Sequence, residues 1–247
     1  MKPLVSIIIT CYNYEQYIGE CIESCLSQTY PNIQTIVVDD ASTDNSLDII
    51  TSYRWKNGKI NSDIDLKTIQ LNKNHGYSHC KNVGIREANG DFLVFIDADD
   101  KLTPDSVELR MAMFEKNPKL DFVHGIALRW YGGDDLRGYN KKTYCHAQGR
   151  MYRRSLHEKY GLYYNMRSMA DKEWVYRLGV HPDSPLPKLI KEKKLKKVVA
   201  WYRKHDEQMH KLRRLKPKYN AKIKKKFKKR IKALNRDGIT KLNTEYL

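Results

Sequence analysis

Short apolar runs that each stop at polar or acidic residues constrain this chain more than any other feature. Leu4-Val5-Ser6-Ile7-Ile8-Ile9 stops at Thr10-Cys11-Tyr12-Asn13-Tyr14, and Gln34-Thr35-Ile36-Val37-Val38 stops at Asp39-Asp40. Phe92-Leu93-Val94-Phe95-Ile96 stops at Asp97-Ala98-Asp99-Asp100, and Lys67-Thr68-Ile69-Gln70-Leu71 is a further run of this kind. Runs this short and β-branched read as strands of a buried parallel sheet. After the first, Ile18, Cys21, Ile22, Cys25 and Leu26 repeat at helical spacing until Tyr30-Pro31-Asn32. After the second, Ser42 or Thr43 is the expected cap of a helix carrying Leu47, Ile49 and Ile50. The β-α-β-α-β order predicts an α/β fold, a mostly parallel sheet with helices on both faces. Such sheets bind ligands beyond the carboxyl ends of their strands, where Thr10, Tyr12, Asp39, Asp40, Asp97, Asp99 and Asp100 fall.

Charge divides the chain. Residues 1–185 hold 23 Lys+Arg against 24 Asp+Glu, and residues 186–247 hold 23 against 5, so the whole excess of +17 lies in the last quarter. A turn-rich break, His181-Pro182-Asp183-Ser184-Pro185-Leu186-Pro187, marks the change. It predicts a globular domain over 1–185 and a basic, mainly helical extension over 186–247. Ile223, Phe227, Ile231 and Leu234 form one narrow apolar stripe on a cationic helix, expected to dock on the body with its charge outward. That density of charge favours a polyanionic partner, nucleic acid or an anionic membrane surface, over a merely solubilising helix.

With 40% hydrophobic residues the chain has the material for a sizeable core, and no stretch approaches the ~18 uncharged apolar residues of a membrane span. The five cysteines are odd in number and lack C-x-x-C spacing, so neither a disulfide framework nor a zinc site is expected. Met1-Lys2-Pro3 runs straight into the first strand without the pattern of a secretory signal, which predicts a cytoplasmic protein.

Asp97, Asp99 and Asp100 place three carboxylates within four residues. A hard divalent cation, Mg²⁺ or Mn²⁺, would relieve their repulsion and bridge them to a diphosphate; a capped turn is the competing explanation. The paired Asp39-Asp40 carries the same two readings.

In order, Val5–Asn13, Ser27-Gln28-Thr29-Tyr30-Pro31, Val38–Asp44 and Asp97–Asp100 resemble the family 2 glycosyltransferases of the GT-A (Rossmann-like) fold, over roughly residues 3–180. The resemblance implies that Thr10, Tyr12 and Asp40 hold the base and ribose of a nucleotide-sugar. It implies that Asp97, Asp99 and Asp100 bind the ribose and the metal on the donor diphosphate, Asp97 and Asp99 toward the nucleotide-sugar and Asp99 and Asp100 toward the metal, and it leaves the division of these roles among the three open. Met169–Arg177 resembles the family's base-bearing helix, with Ala170 where a Glu is usual, so Asp171 is the expected catalytic base and Glu173 its rival. An anion at a helix N-terminus is stabilised and can take a proton from an acceptor hydroxyl. Asn74-His75-Gly76 and Cys80–Gly84 resemble the donor loop, with Lys81 where Arg is commoner. Trp201–Gln208 resembles the Tyr-Arg-x-His segment, which implies donor contact by Arg203 and metal ligation by His205.

The implied reaction is metal-dependent, inverting transfer from a UDP-sugar, UDP-glucose by default. The dense cationic set of Tyr202, Arg203, Lys204, His205, His210, Lys211, Arg213, Arg214 and Lys216 suits phosphates and favours DNA as acceptor. Its nucleophile would be a 5-hydroxymethylpyrimidine of the kind some phages make, reached in the groove or by base flipping. The same chemistry on an envelope polysaccharide, teichoic acid or lipid-linked glycan is the alternative. An inactive sugar-nucleotide or nucleic-acid binding module is a third reading.

Overall fold

Residues 1–53, 55–56, 59–60, 65–130, 142–143, 147–165, 170–181, 184, 186–205 and 225–233 are described by a computed structural model of the chain. The strands are β1 (Val5–Cys11), β2 (Ile33–Asp39), β3 (Trp55–Lys56), β4 (Lys59–Ile60), β5 (Leu66–Gln70), β6 (Phe92–Asp97), β7 (Lys101–Leu102), β8 (Phe122–Trp130), β9 (Lys142–Thr143), β10 (Arg150–Arg153) and β11 (Glu192–Arg203). The helices are α1 (Ile18–Leu26), α2 (Ser46–Ser52), α3 (Tyr77–Glu87), α4 (Ser106–Lys116), α5 (Ser155–Tyr160) and α6 (Ala170–Arg177), and residues 225–233 are also helical.

One nine-stranded sheet runs in the order β5-β2-β1-β6-β10-β8-β11-β7, with β9 against β8. The four predicted strands form its parallel half, β5-β2-β1-β6. All seven residues of β1 are buried, as its uninterrupted apolar run requires. Alternate side chains go to opposite faces: Ile7, Ile9 and Val37 join one core cluster, and Ile8, Ile36 and Val38 join the other. The strand order reverses beside β1, whose end is flanked by Asp39 of β2 and Asp97 of β6 in register with Cys11 and Thr10. That is the switch point at which doubly wound sheets bind ligands. Helix α3 lies close over β1 because Gly84 faces Ile8, where a Cβ would come within 2.4 Å of Ile8 Cγ2.

Two details differ from the sequence reading. The cap position of α2 is Asn45, because Ser42 is bonded to Asp39 and Thr43 to Asn13. The body also does not end at 185: β11, the start of the basic stretch, pairs with β8 and β7 inside the main sheet. Its lysines point outward while Val199, Ala200 and Arg203 are buried, so a charged sequence still supplies an interior strand. The cationic stripe docks as expected where it is described. Phe227 is buried against Val175 and Tyr176 of α6, and Ile231 packs beside it; Ile223 and Leu234 lie outside the described residues.

Candidate active site

The carboxylates of Asp97, Asp99 and Asp100 gather at the end of β6, with one oxygen from each lying within 4.8 Å of the others. Burial, reinforced by Asp99 and Asp171 against the opposing charge of Lys81, pushes Asp97 up to about 7. Burial and the carboxylates of Asp99 and Asp97 push Asp100 well above the ordinary range. Clustered carboxylates that resist ionising are a site built for a cation, since a divalent ion removes both penalties at once. His205 Nε2 lies 3.0 Å from Asp99 Oδ2, placing an imidazole beside the cluster. Hard oxygens with one imidazole fit Mn²⁺ or Mg²⁺.

The pairing of neighbouring strands explains what surrounds the cluster. Gln148 lies in a single 3-10 turn, Ala147–Gly149, which leads directly into β10, the strand paired antiparallel with β6. The Gln148 amide donates to Asp97 Oδ2 at 3.0 Å and also to Asp100, while its own Oε1 is buried without a partner among the described residues. In the β11–β7 ladder Ala200 faces Leu102, which carries Arg203 to Asp99 and Asp100. The Arg203 backbone N–H donates to Asp100 at 2.8 Å, and its side chain donates to the Asp99 carbonyl at 2.8 Å and Glu20 at 3.0 Å. Its guanidinium also lies over the rings of Trp130, at 3.9 Å, and Tyr17, at 4.7 Å.

The second strand end is shaped around a strained turn. Ala41 has φ 60, a left-handed conformation that costs a non-glycine residue about 1–2 kcal/mol. Asp39 holds the turn by accepting from the Ser42 amide and hydroxyl. Asp40 accepts from the backbone N–H groups of His75, at 2.7 Å, and Gly76, at 2.8 Å, and so ties the donor-like loop to the strand end. Thr10 is buried and its hydroxyl donates to Asp97 at 3.4 Å, whereas Tyr12 is 42% exposed at the mouth.

Asp171 stands in the first turn of α6 and pairs with the Lys81 ammonium, whose side chain is 1% exposed against 24% for Asp171. Tyr77, Phe95 and Tyr163 surround that ammonium at 4.4, 4.8 and 5.0 Å from their ring centres. Burial opposes the Asp171 anion, but Lys81 and Arg150 outweigh it and hold the carboxyl below its ordinary value. The Tyr77 hydroxyl favours the anions of both Asp97 and Asp171 and so stands between the acidic cluster and α6. Glu173, the rival base, is fully buried, bonded twice by Arg177 and approached to 3.5 Å by Arg230 Nε. It has no route to a substrate and serves as the anchor of α6.

The structure thus brings Thr10, Lys81, Asp97, Asp99, Asp100, Asp171 and His205 to one side of the sheet, with Arg203 behind the cluster. Gln148, Tyr77 and Glu20 were not singled out in the sequence. Gln148 stands in no periodic or acidic pattern, and only the placement of the turn before β10 reveals it.

Residues 6–129 match the family described as Glycosyl transferase family 2. TuaG of Bacillus subtilis, a glycosyltransferase assigned by its name to teichuronic acid biosynthesis, is 35% identical over 136 residues, 55% of this chain and 51% of its own. The chain spans about half the length of the curated relatives it matches. Among solved structures, Staphylococcus aureus TarS 1–349 in complex with UDP superposes with a TM-score of 0.65 at 23% identity, covering 86% of this chain and 64% of that one. The mannosyltransferase PcManGT of Pyrobaculum calidifontis, in complex with GDP-Man and Mn²⁺, gives 0.66 at 18% identity, covering 86% and 60%. The family match spans half of the sequence and takes in the strand ends at Thr10, Asp39-Asp40 and Asp97–Asp100 with the parallel half of the sheet that carries them, and the chain belongs to glycosyl transferase family 2.

Proposed function

We propose that the protein transfers a sugar, with inversion, from a nucleoside diphosphate sugar to a hydroxyl of an acidic envelope polysaccharide. The observation that carries this reading is the pairing of two unlike carboxylate environments across one Tyr77 hydroxyl. Asp97 and Asp100 of the acidic cluster resist ionising, and Asp171 is held ionised. Groups whose surroundings separate their protonation in this way take different roles in one reaction.

Asp99, Asp100 and His205 would hold Mn²⁺ or Mg²⁺, which when bound supplies charge neutralisation for the donor's diphosphate. Gln148 and the Arg203 backbone N–H fix the orientation of the carboxylates. Asp97, Thr10, Tyr12 and the loop tied by Asp40 would hold the nucleoside. Asp171 would accept the proton of the acceptor hydroxyl as its oxygen bonds to the anomeric carbon and the bond to the diphosphate breaks on the opposite face. Lys81 keeps that carboxylate charged and, through the aromatic cage, fixed in place. The solved neighbours hold UDP in one case and GDP-Man in the other, so the donor class is supported, while nothing in the site singles out UDP-glucose.

The name of TuaG supports a polymer bearing carboxylates as acceptor, and so does the positive charge of residues 186–247. That same charge favours a second reading, transfer to 5-hydroxymethylpyrimidine in DNA, which none of the comparisons supports. The test offers a panel of UDP- and GDP-sugars with Mn²⁺ to two acceptors, uronic acid oligosaccharides and hydroxymethylated duplex DNA. Mass spectrometry is the readout, with Asp171→Asn as control. A hexose added to the glycan by the wild type and not by the variant supports the reading. Transfer to DNA alone replaces the acceptor, and donor hydrolysis unaltered in Asp171→Asn sinks the assignment of the base.

A further inference from the structure

The helical segment 225–233 has two faces of opposite character. Phe227, Arg230 and Ile231 face the body. Phe227 meets Tyr176 edge-on at 5.4 Å, and Arg230 lies 4.4 Å over Tyr164 with its Nε 3.5 Å from Glu173. Lys226 donates to the Asn165 carbonyl at 2.8 Å. With that face fixed, Lys225, Lys228, Lys229 and Lys232 follow at intervals of three, one and three on the opposite side, and all four are exposed. No acidic residue occurs in the segment. Like charges three and four residues apart destabilise a helix, so this ridge carries repulsion that an anionic partner would relieve. The segment packs on α6, whose first turn holds Asp171, and Lys172 leans over Tyr176 and Phe227, at 5.3 and 5.8 Å, between the ridge and that carboxylate.

We propose that the lysine ridge of residues 225–233 is a binding track for the acidic polysaccharide acceptor, holding the chain beyond the sugar that enters the active site. The proposal rests on the acceptor named above and adds a second site on the same polymer. Three observations select this occupant. The outward face carries only ammonium groups, which suit repeating carboxylates. It has no aromatic ring on which a base could stack. Its large apolar residues point inward, leaving nothing to enter a bilayer. The track sits on the helix of the base, so a long acceptor would be tethered close to Asp171 and a short one would not, and effective concentration would favour the long chain.

The test compares wild type, a variant with Lys225, Lys228, Lys229 and Lys232 all changed to Gln, and one with all four changed to Arg. Each is titrated with fluorescent uronic acid oligosaccharides of increasing length, with duplex DNA and with phosphatidylglycerol vesicles. Far-UV circular dichroism verifies folding. The expected result is binding of long oligosaccharides that weakens roughly tenfold or more in the Gln variant and loses salt dependence. The Arg variant should bind like wild type, and KM for long acceptors alone should rise. Equal binding by the wild type and the Gln variant overturns the track. Tighter binding of DNA or vesicles than of the glycan overturns the occupant. Length-dependent binding lost in the Gln variant, without sugar transfer, would leave the track standing and remove the proposed function instead. Transfer insensitive to the four lysines would do the reverse.

Discussion

Replacing Lys81 with Met removes one charge of a buried pair and leaves Asp171 behind. Losing one partner of such a pair costs about 3–5 kcal/mol where both are fully buried. Asp171 is 24% exposed and keeps the Arg150 charge and the Tyr77 hydroxyl, so the lower end applies, about 2–3 kcal/mol at pH 7.5. The sign with pH follows from the same contacts. In the wild type the Asp171 carboxyl lies below its unfolded value of 3.8, so its contribution is present above that pH and is lost as the pH falls through the folded value. Without Lys81 burial dominates, the folded value rises above 3.8, and the variant loses stability as the pH climbs. The gap between the two proteins should therefore open from pH 4 upward and close below it, where Met fits the cage of Tyr77, Phe95 and Tyr163 at least as well as an ammonium. Urea unfolding at pH 4 and pH 7.5 in chelator measures this directly. A gap of the same size at both pH values would refute the reasoning, because it would mean that packing, and not charge pairing, is what Lys81 supplies.

Asp99→Asn should abolish saturable Mn²⁺ binding measured by electron paramagnetic resonance, and His205→Ala should weaken it roughly tenfold to a hundredfold; equal affinity in either variant would remove that residue from the metal site. Gln148→Leu strips the donor shared by Asp97 and Asp100, and should lower the stability of the metal-free protein by about 1–3 kcal/mol. Mn²⁺ should then raise its melting temperature by more than it raises the wild type's, and an equal rise would contradict the role given to the amide. His157 is buried between Trp174 and Tyr152, and burial pushes it down to about 3. Because the unfolded histidine takes a proton near 6.5 and the folded one does not, stability should fall as the pH drops below 6.5, by about 2 kcal/mol at pH 5. His157→Gln should flatten that slope in chemical denaturation, and an unchanged slope would exclude His157 as its source.

The parallel half of the sheet and its acidic ends were legible because local pattern suffices there: β-branched runs, helical repeats and carboxylates at strand ends. The other half was not. The lysines of β11 read as tail because they fill its exposed first half, and only pairing with β8 and β7 shows that Val199, Ala200 and Arg203 are interior. Burial sets Glu173 apart from Asp171, and Arg177 four residues after Glu173 already marked an i, i+4 ion pair. The roles of Gln148 and Tyr77 come from turn and helix placement, which no spacing in the sequence encodes. Nor did the pattern distinguish Arg230, which is buried in the docked segment, from the exposed lysines around it.

The placement of β11 also bears on when the site can form. Asp100 and Asp99 are fixed by Arg203 and His205, 103 to 106 residues further along the chain. Loop closure over such separations is slow, and sheets built from distant pairs condense after their local neighbours. The β1–α1–β2 unit, in contrast, pairs residues some 28 apart. A chain emerging from synthesis would therefore fold its parallel half first, with the carboxylates of Asp99 and Asp100 still unsupported. Any affinity of the acidic cluster for Mn²⁺ should arise late in refolding, after most of the far-UV signal, once β11 has closed the sheet beside it.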